Sequence, residues 1–174
     1  MNRVLLLSLL GVALACREED PTGPGRIALT WTGADTGQLR VPAHARWCAN
    51  DSLIEITGAI GDSGVAVAML PRDSTVTQGD FPVAMPLPAR IRPSARVALR
   101  WVGETLTEGY YGLNGTVTID SGAGLSGRVE ATLRSVNDGG EINLSGTFSG
   151  ITVEPGSAES CGLPPAAPSD TSGQ

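Results

Sequence analysis

Few residues in this chain could do chemistry, and their types and spacing narrow the choice quickly. There is one histidine, His44, and no lysine. Gly61-Asp62-Ser63-Gly64 holds a serine and a carboxylate in a glycine-bounded string. A serine nucleophile needs a base within hydrogen-bond reach. The sole imidazole lies nineteen residues upstream, while a tight Gly/Asp/Ser hairpin accounts for the whole string. We therefore assign no catalytic residue and expect a non-enzymatic protein. A single histidine excludes a His-cluster metal site. Asp35, Asp51, Asp62, Asp120 and Asp138 lie in or beside turns, and no D-x-D-x-D-G loop gathers them for calcium. Neither a metal nor a cofactor is expected.

Two groups remain as candidate ligand contacts. Arg90, Arg92, Arg96 and Arg100 form a basic stretch in an acidic chain. Such a stretch could meet an anionic sugar, a headgroup or a phosphate, or it could be a solvated sheet face. Tyr110 and Tyr111 sit between glycines, in what reads as a loop over residues 103–112. Adjacent residues in extended chain point opposite ways, so one of the two is exposed. Trp31, Trp47 and Trp101 could stack on a sugar, but each shares parity with aliphatic residues, which places them in a core. Asn50-Asp51-Ser52, Asn114-Gly115-Thr116 and Asn143-Leu144-Ser145 match the glycosylation sequon and are read as chance.

The first sixteen residues carry the clearest signal. Met1-Asn2-Arg3 is a short basic start, followed by an eleven-residue stretch of apolar and small residues from Val4 to Leu14. As a helix this rises only about 16 Å, roughly half a bilayer core, so it reads as a signal-peptide segment (residues 1–15) and not as a membrane span. Ala13-Leu14-Ala15-Cys16 resembles the lipobox of bacterial lipoproteins. That resemblance implies diacylglycerol on the Cys16 thiol, cleavage before Cys16 and a lipid anchor in the cell envelope. Arg17 in place of aspartate then favours the outer membrane. Ala13-Leu14-Ala15 also suits ordinary cleavage, which would give a secreted or periplasmic soluble form. Residues 16–25 are charged and then Pro/Gly-rich, as a solvated tether would be.

With Cys16 lipidated, Cys48 and Cys161 remain in an oxidising compartment, and one disulfide across 113 residues is the plain reading. The net charge of −6 argues against a nucleic-acid partner, which needs a positive field.

The elements that must position these residues are strands. Hydrophobic residues make up 41% and charged residues 17% of the 174 residues, with 23 Gly and 12 Pro, so a core can form but turns must interrupt it often. Period-2 alternation runs through 26–32, 38–48, 52–60, 95–102 and 125–134, and residues 65–70 form a nearly all-apolar strand. Further strands are read at 115–121 and 141–154, the last with a bulge near Gly150 where the apolar parity switches. Four copies of apolar–x–Gly–x–apolar, centred on Gly58, Gly115, Gly127 and Gly146, read as a packing device that makes room for bulky neighbours.

No useful amphipathic helix appears. About nine antiparallel strands over residues 26–161 predict an all-β β-sandwich, with a small closed β-barrel as the alternative, followed by a disordered tail at 162–174. The chain as a whole resembles small β-rich envelope lipoproteins. It is expected to act as a structural or interaction module, or alternatively as a binder of a small or anionic ligand, with a protein or glycan partner left open.

Overall fold

The computed structural model describes residues 25–157 and 161, apart from 74, 76–77, 85–90, 104–105 and 123. The expected signal peptide (1–15), Cys16, most of the expected tether, Arg90 and the expected tail (162–174) lie outside the described residues. Ten strands follow in order: β1 (Arg26–Gly33), β2 (Gly37–Cys48), β3 (Leu53–Ile60), β4 (Ser63–Leu70), β5 (Gly79–Pro82), β6 (Ser94–Val102), β7 (Thr107–Ile119), β8 (Leu125–Ser135), β9 (Glu141–Ile151) and β10 (Val153–Pro155).

The all-β expectation holds, and of the two architectures read from the sequence the structure takes the closed barrel. The sheet order is β1-β9-β8-β7-β6-β4-β3-β2, and β1 pairs with β2 as well, which closes the ring at eight antiparallel strands. A sandwich would need some connections to cross between two sheets. Here each barrel strand pairs with the next barrel strand along the chain, so the ring closes by simple up-and-down winding.

Inward residues alternate with outward ones around the whole wall, as closure requires. In β8, Leu125, Gly127, Val129, Ala131 and Leu133 face in, while Arg128, Glu130 and Arg134 are exposed. In β9, Ile142, Leu144, Phe148 and Ile151 face in, while Glu141, Asn143, Ser145, Thr147 and Ser149 face out. The interior is filled by one cluster that includes Trp31, Phe81, Phe148, Ile54, Ile56 and Met69. A filled apolar interior with a polar outer wall is the inverse of a membrane-spanning barrel. Among the described residues, no helix is long and apolar enough to cross a membrane.

The recurrent glycines are what allow this filling. A methyl on Gly127 would collide with the Thr118 carbonyl oxygen and stand 2.6 Å from the Phe148 ring. On Gly146 it would collide with the Ala28 carbonyl oxygen and stand 2.7 Å from the Leu29 side chain. On Gly58 it would stand 2.7–2.8 Å from Val41 and Ile27. Gly58, Gly127 and Gly146 thus make room for bulky side chains of the same closed wall, whereas Gly115, at φ +127°, stands against the Glu130 and Ala131 backbone and not against a bulky side chain.

One correction concerns a strand boundary. Residues 103–112 were expected to be a loop, but β7 begins at Thr107. The pairing of β7 with β8 jumps from Gly112–Leu133 to Asn114–Thr132, so β7 carries one extra residue. Its inward set therefore switches from Tyr110 and Gly112 to Val117 and Ile119, which hides the alternation from a period-2 reading. The bulge expected near Gly150 is present. Leu125 pairs Ile151 and Gly127 pairs Phe148, with one residue between them on β8 and two on β9, and Gly150 takes φ +63°.

At the lower end, which carries the β2–β3 and β7–β8 turns, the wall splays and two short strands fill the gaps. β5 pairs with the end of β7 and buries Phe81. β10 runs parallel to β2, Val153 opposite Ala45, just past the point where β1 begins. Cys161 then meets Cys48, with the Cα atoms 5.5 Å apart. The expected disulfide thus ties the chain's end to the second strand.

Two measurements follow. Gly127→Ala and Gly146→Ala should each lower the unfolding free energy by about 1–3 kcal/mol through overpacking. Thr147→Ala on the outer wall should stay within about 0.5 kcal/mol. Denaturant melts of the three variants check this. Reducing the disulfide should lower stability by a few kcal/mol, at most the ~4–5 that loop closure over so long a span allows, while far-UV circular dichroism stays β-rich.

Candidate functional site

Because the barrel winds up and down, alternate turns collect at one end. The β1–β2, β3–β4, β6–β7 and β8–β9 connections all lie at the upper end. The chain enters at the lower end, where the Gly25 carbonyl accepts the Ala43 amide at 2.7 Å.

The upper mouth holds a cavity of about 280 Å³ lined by Ala34, Asp35, Trp101, Gly103, Leu106, Glu108, Tyr110 and Asp138. Trp101 and Glu108 are direct cross-strand partners on β6 and β7, and Tyr110 sits one inward step further down β7, opposite Leu99. Beneath Trp101 lies Trp31, 1% exposed, with the ring centroids 5.1 Å apart in an edge-on arrangement. Among the described residues, the Trp31 indole nitrogen is the one buried side-chain polar atom with no hydrogen-bond partner.

Asp35 and Asp138 are held by amides of their own turns, and Glu108, on β7, by donors from the β8–β9 end. Glu108 Oε2 accepts the Ser135 hydroxyl at 2.8 Å and the Asn137 side-chain amide at 3.1 Å. Asp138 Oδ1 accepts the Gly140 amide at 2.8 Å. Asp35 Oδ1 accepts the Thr36 amide at 2.7 Å. The Gly140 amide holds Asp138 below its ordinary carboxylate range, since a hydrogen bond to the charged form favours it. Burial raises the Tyr110 phenol above its ordinary value, and Asp35, Glu108 and Asp138 push in the same direction. The phenol is thus held as a neutral O–H inside a negative field.

Three exposed apolar side chains stand at this end: Ile60, Leu106 and Val136, each at least 60% exposed. Leu106 lines the cavity, and Val136 is fixed beside it through its amide to the Gly109 carbonyl at 2.8 Å.

The residues singled out from the sequence are dispersed. Tyr110 lines the mouth, whereas Tyr111 faces the outer wall opposite Arg134 of β8. Arg92 donates to the carbonyls of Asp51 at 2.8 Å, Pro71 at 3.2 Å and Ser52 at 3.4 Å, and so clamps the lower end. Arg96 and Arg100 are exposed on the outer face of β6. The basic stretch therefore does not converge with Tyr110. Of the tryptophans, Trp31 is sealed in the core, while Trp47 and Trp101 pack half-buried against it. Ser63 is buried and accepts the Val102 amide at 3.0 Å. His44 points outward from β2 opposite Thr57, three residues along β3 from the Ser63 partner Ile60. The serine and the imidazole stand on opposite faces of the wall.

Asp35 and Asp138 were read as turn residues, and Glu108, Leu106 and Val136 drew no notice. The signal that could have found them is hairpin parity, because every second turn of an up-and-down barrel lands at the same mouth. Among the described residues, no cluster of His, Cys, Asp and Glu is arranged to hold a metal ion.

A lower cavity of about 550 Å³ is lined by Gln78, Asp120, Ser121, Leu125, Ile151 and Val153, among others. It carries one carboxylate, paired with Arg128 at 3.7 Å, and no aromatic ring.

Comparison of the chain with protein-family models, curated proteins and solved structures returns no match.

The raised Tyr110 pKa has a sign that can be checked. Above the ordinary phenol value of 10.0 the unfolded chain ionises at this position and the folded chain does not, so stability falls as pH rises toward the folded value. Tyr110→Phe should flatten that alkaline loss relative to wild type, read from denaturant midpoints between pH 8 and about 11.

Proposed function

We propose that this protein is a lipid-anchored envelope module: a non-enzymatic barrel held to the membrane through Cys16, with its upper mouth presented for interaction. One observation carries the reading. The described chain enters at Gly25, at the lower end, while the cavity and its apolar rim lie at the opposite end. The ten residues from Cys16 to Gly25 can extend by up to about 30 Å. An anchor at Cys16 would therefore keep the disulfide-closed end near the bilayer and turn the mouth away from it. The polar outer wall supports a water-exposed position beside the membrane.

The non-catalytic part rests on how the candidate groups are used. Ser63 serves as a buried acceptor for backbone, and His44 lies on the far side of the wall. The alternative, a binder of a small ligand, draws support from the mouth. Its anionic form draws none from Arg92, Arg96 and Arg100, which are spread over a lower clamp and an outer face.

Cys16→Ser should abolish acylation and move the protein from membrane to soluble fractions, with the barrel's melting behaviour unchanged. Intact-mass analysis and fractionation read both. A wild-type mature chain without acyl groups, or a mutant that fractionates as wild type does, would defeat the anchor.

A further inference from the structure

We propose that the upper mouth is a binding site for a small organic cation, an ammonium group carried on an apolar substituent. The inference deepens the reading of a barrel that presents its free end, and it rests on that reading only for the direction in which the mouth points.

The lining combines the two features such a ligand needs. Trp101 and Tyr110 offer aromatic surface, and Trp31 backs Trp101 edge-on from below. Asp35, Glu108 and Asp138 supply negative charge, and among the described residues no basic side chain lines the cavity. A cation over an aromatic face is attracted by the ring quadrupole, most strongly with indole, and nearby carboxylates add directly to that attraction.

A metal ion fits less well. The described carboxylates do not converge as a ligand set, and part of their acceptor capacity is already taken by Ser135, Asn137, Gly140 and Thr36. They are placed to surround a diffuse charge, which suits an alkylammonium and not a small, strongly coordinated ion.

The rim sets the apolar half of the ligand. Leu106 and Val136 stay largely exposed beside the cavity, and among the described residues only Ile60 and Ile91 are large apolar side chains exposed to a similar degree. An apolar tail lying across Leu106 and Val136 would cover what is left open. The volume of about 280 Å³ sits at the low end of the ~300–1,000 Å³ typical of small-molecule sites. The ligand is therefore small. The chain's net charge of −6 would also favour approach of a cation.

The test uses the full mature chain in a sugar-headgroup detergent, with tryptophan fluorescence as readout. Three water-soluble probes of matched shape are titrated: 2-phenylethylammonium, the neutral 2-phenylethanol and the anion phenylacetate. The ammonium should quench saturably and bind roughly tenfold or more tightly than the alcohol, with phenylacetate weakest. The near-isosteric pair Asp35→Asn and Glu108→Gln should together weaken the ammonium roughly tenfold and erase its advantage over the alcohol. Trp101→Ala should reduce binding of both. If Trp101→Ala does not fold, the carboxamide pair decides alone, because each amide oxygen can still accept the bond that its carboxylate now accepts. Equal affinity for alcohol and ammonium, an unchanged ammonium affinity in the folded carboxamide variant, or no saturable response to any probe would each overturn the proposal. The Cys16→Ser form should bind as wild type does, so a failed anchor and a failed site give different results.

Discussion

Closure of the sheet is the constraint on which everything else in this protein depends. β1 pairs with β2 on one side and β9 on the other, so the barrel wall leaves few strand edges open along its length. Closure also sets the size of the interior. Eight strands enclose a space just wide enough for side chains to fill, and here Trp31, Phe81, Phe148 and a ring of aliphatic residues fill it. The fit is close enough that Gly58, Gly127 and Gly146 have no room for a methyl group. A chain that put alanine at all three would have to widen the barrel or expel a large neighbour.

The two ends of the barrel are built differently. At the lower end the wall splays, and β5, β10, the Arg92 clamp and the Cys48–Cys161 bridge close it. That end also receives the chain from Gly25. At the upper end, among the described residues, no added strand, disulfide or arginine clamp of this kind covers the interior. Trp101 remains half-buried there, and carboxylates from three separate connections stand around it. Ser135 and Asn137 reach across to hold Glu108, and the Gly140 amide holds Asp138 within its turn, so the negative character of the mouth is built in before any ligand arrives.

The contrast between the expected and observed ligand contacts shows why the site was only partly legible. Of the tyrosine pair, Tyr110 lines the mouth and Tyr111 faces the outer wall, so the two do point opposite ways. The neighbourhood assigned to Tyr110 was a loop, because the extra residue at the β7 bulge reverses the apolar parity partway along the strand. Arg92, Arg96 and Arg100 are close in sequence, yet Arg92 precedes β6 and turns back to carbonyls, while the other two point outward from it. Sequence proximity in a strand places every second residue on the same face and says nothing of which face meets a cavity. Asp35 and Asp138 are 103 residues apart in the chain, and only the ring of pairings brings their turns to one mouth.

Local chemistry in the sequence determined the strand content, the inward and outward faces of most strands, the glycine packing positions, the bulge near Gly150 and the pairing of Cys48 with Cys161. Each follows from short-range alternation, from the backbone needs of glycine or from cysteine count, and none depends on knowing which strands are neighbours. Tertiary structure decided between two stacked sheets and one closed ring, because the same alternation serves both and only the β1–β9 pairing separates them. It also decided which end is sealed and which is open. That depends on where the first and last strands meet the wall, a long-range match of register that no local pattern encodes.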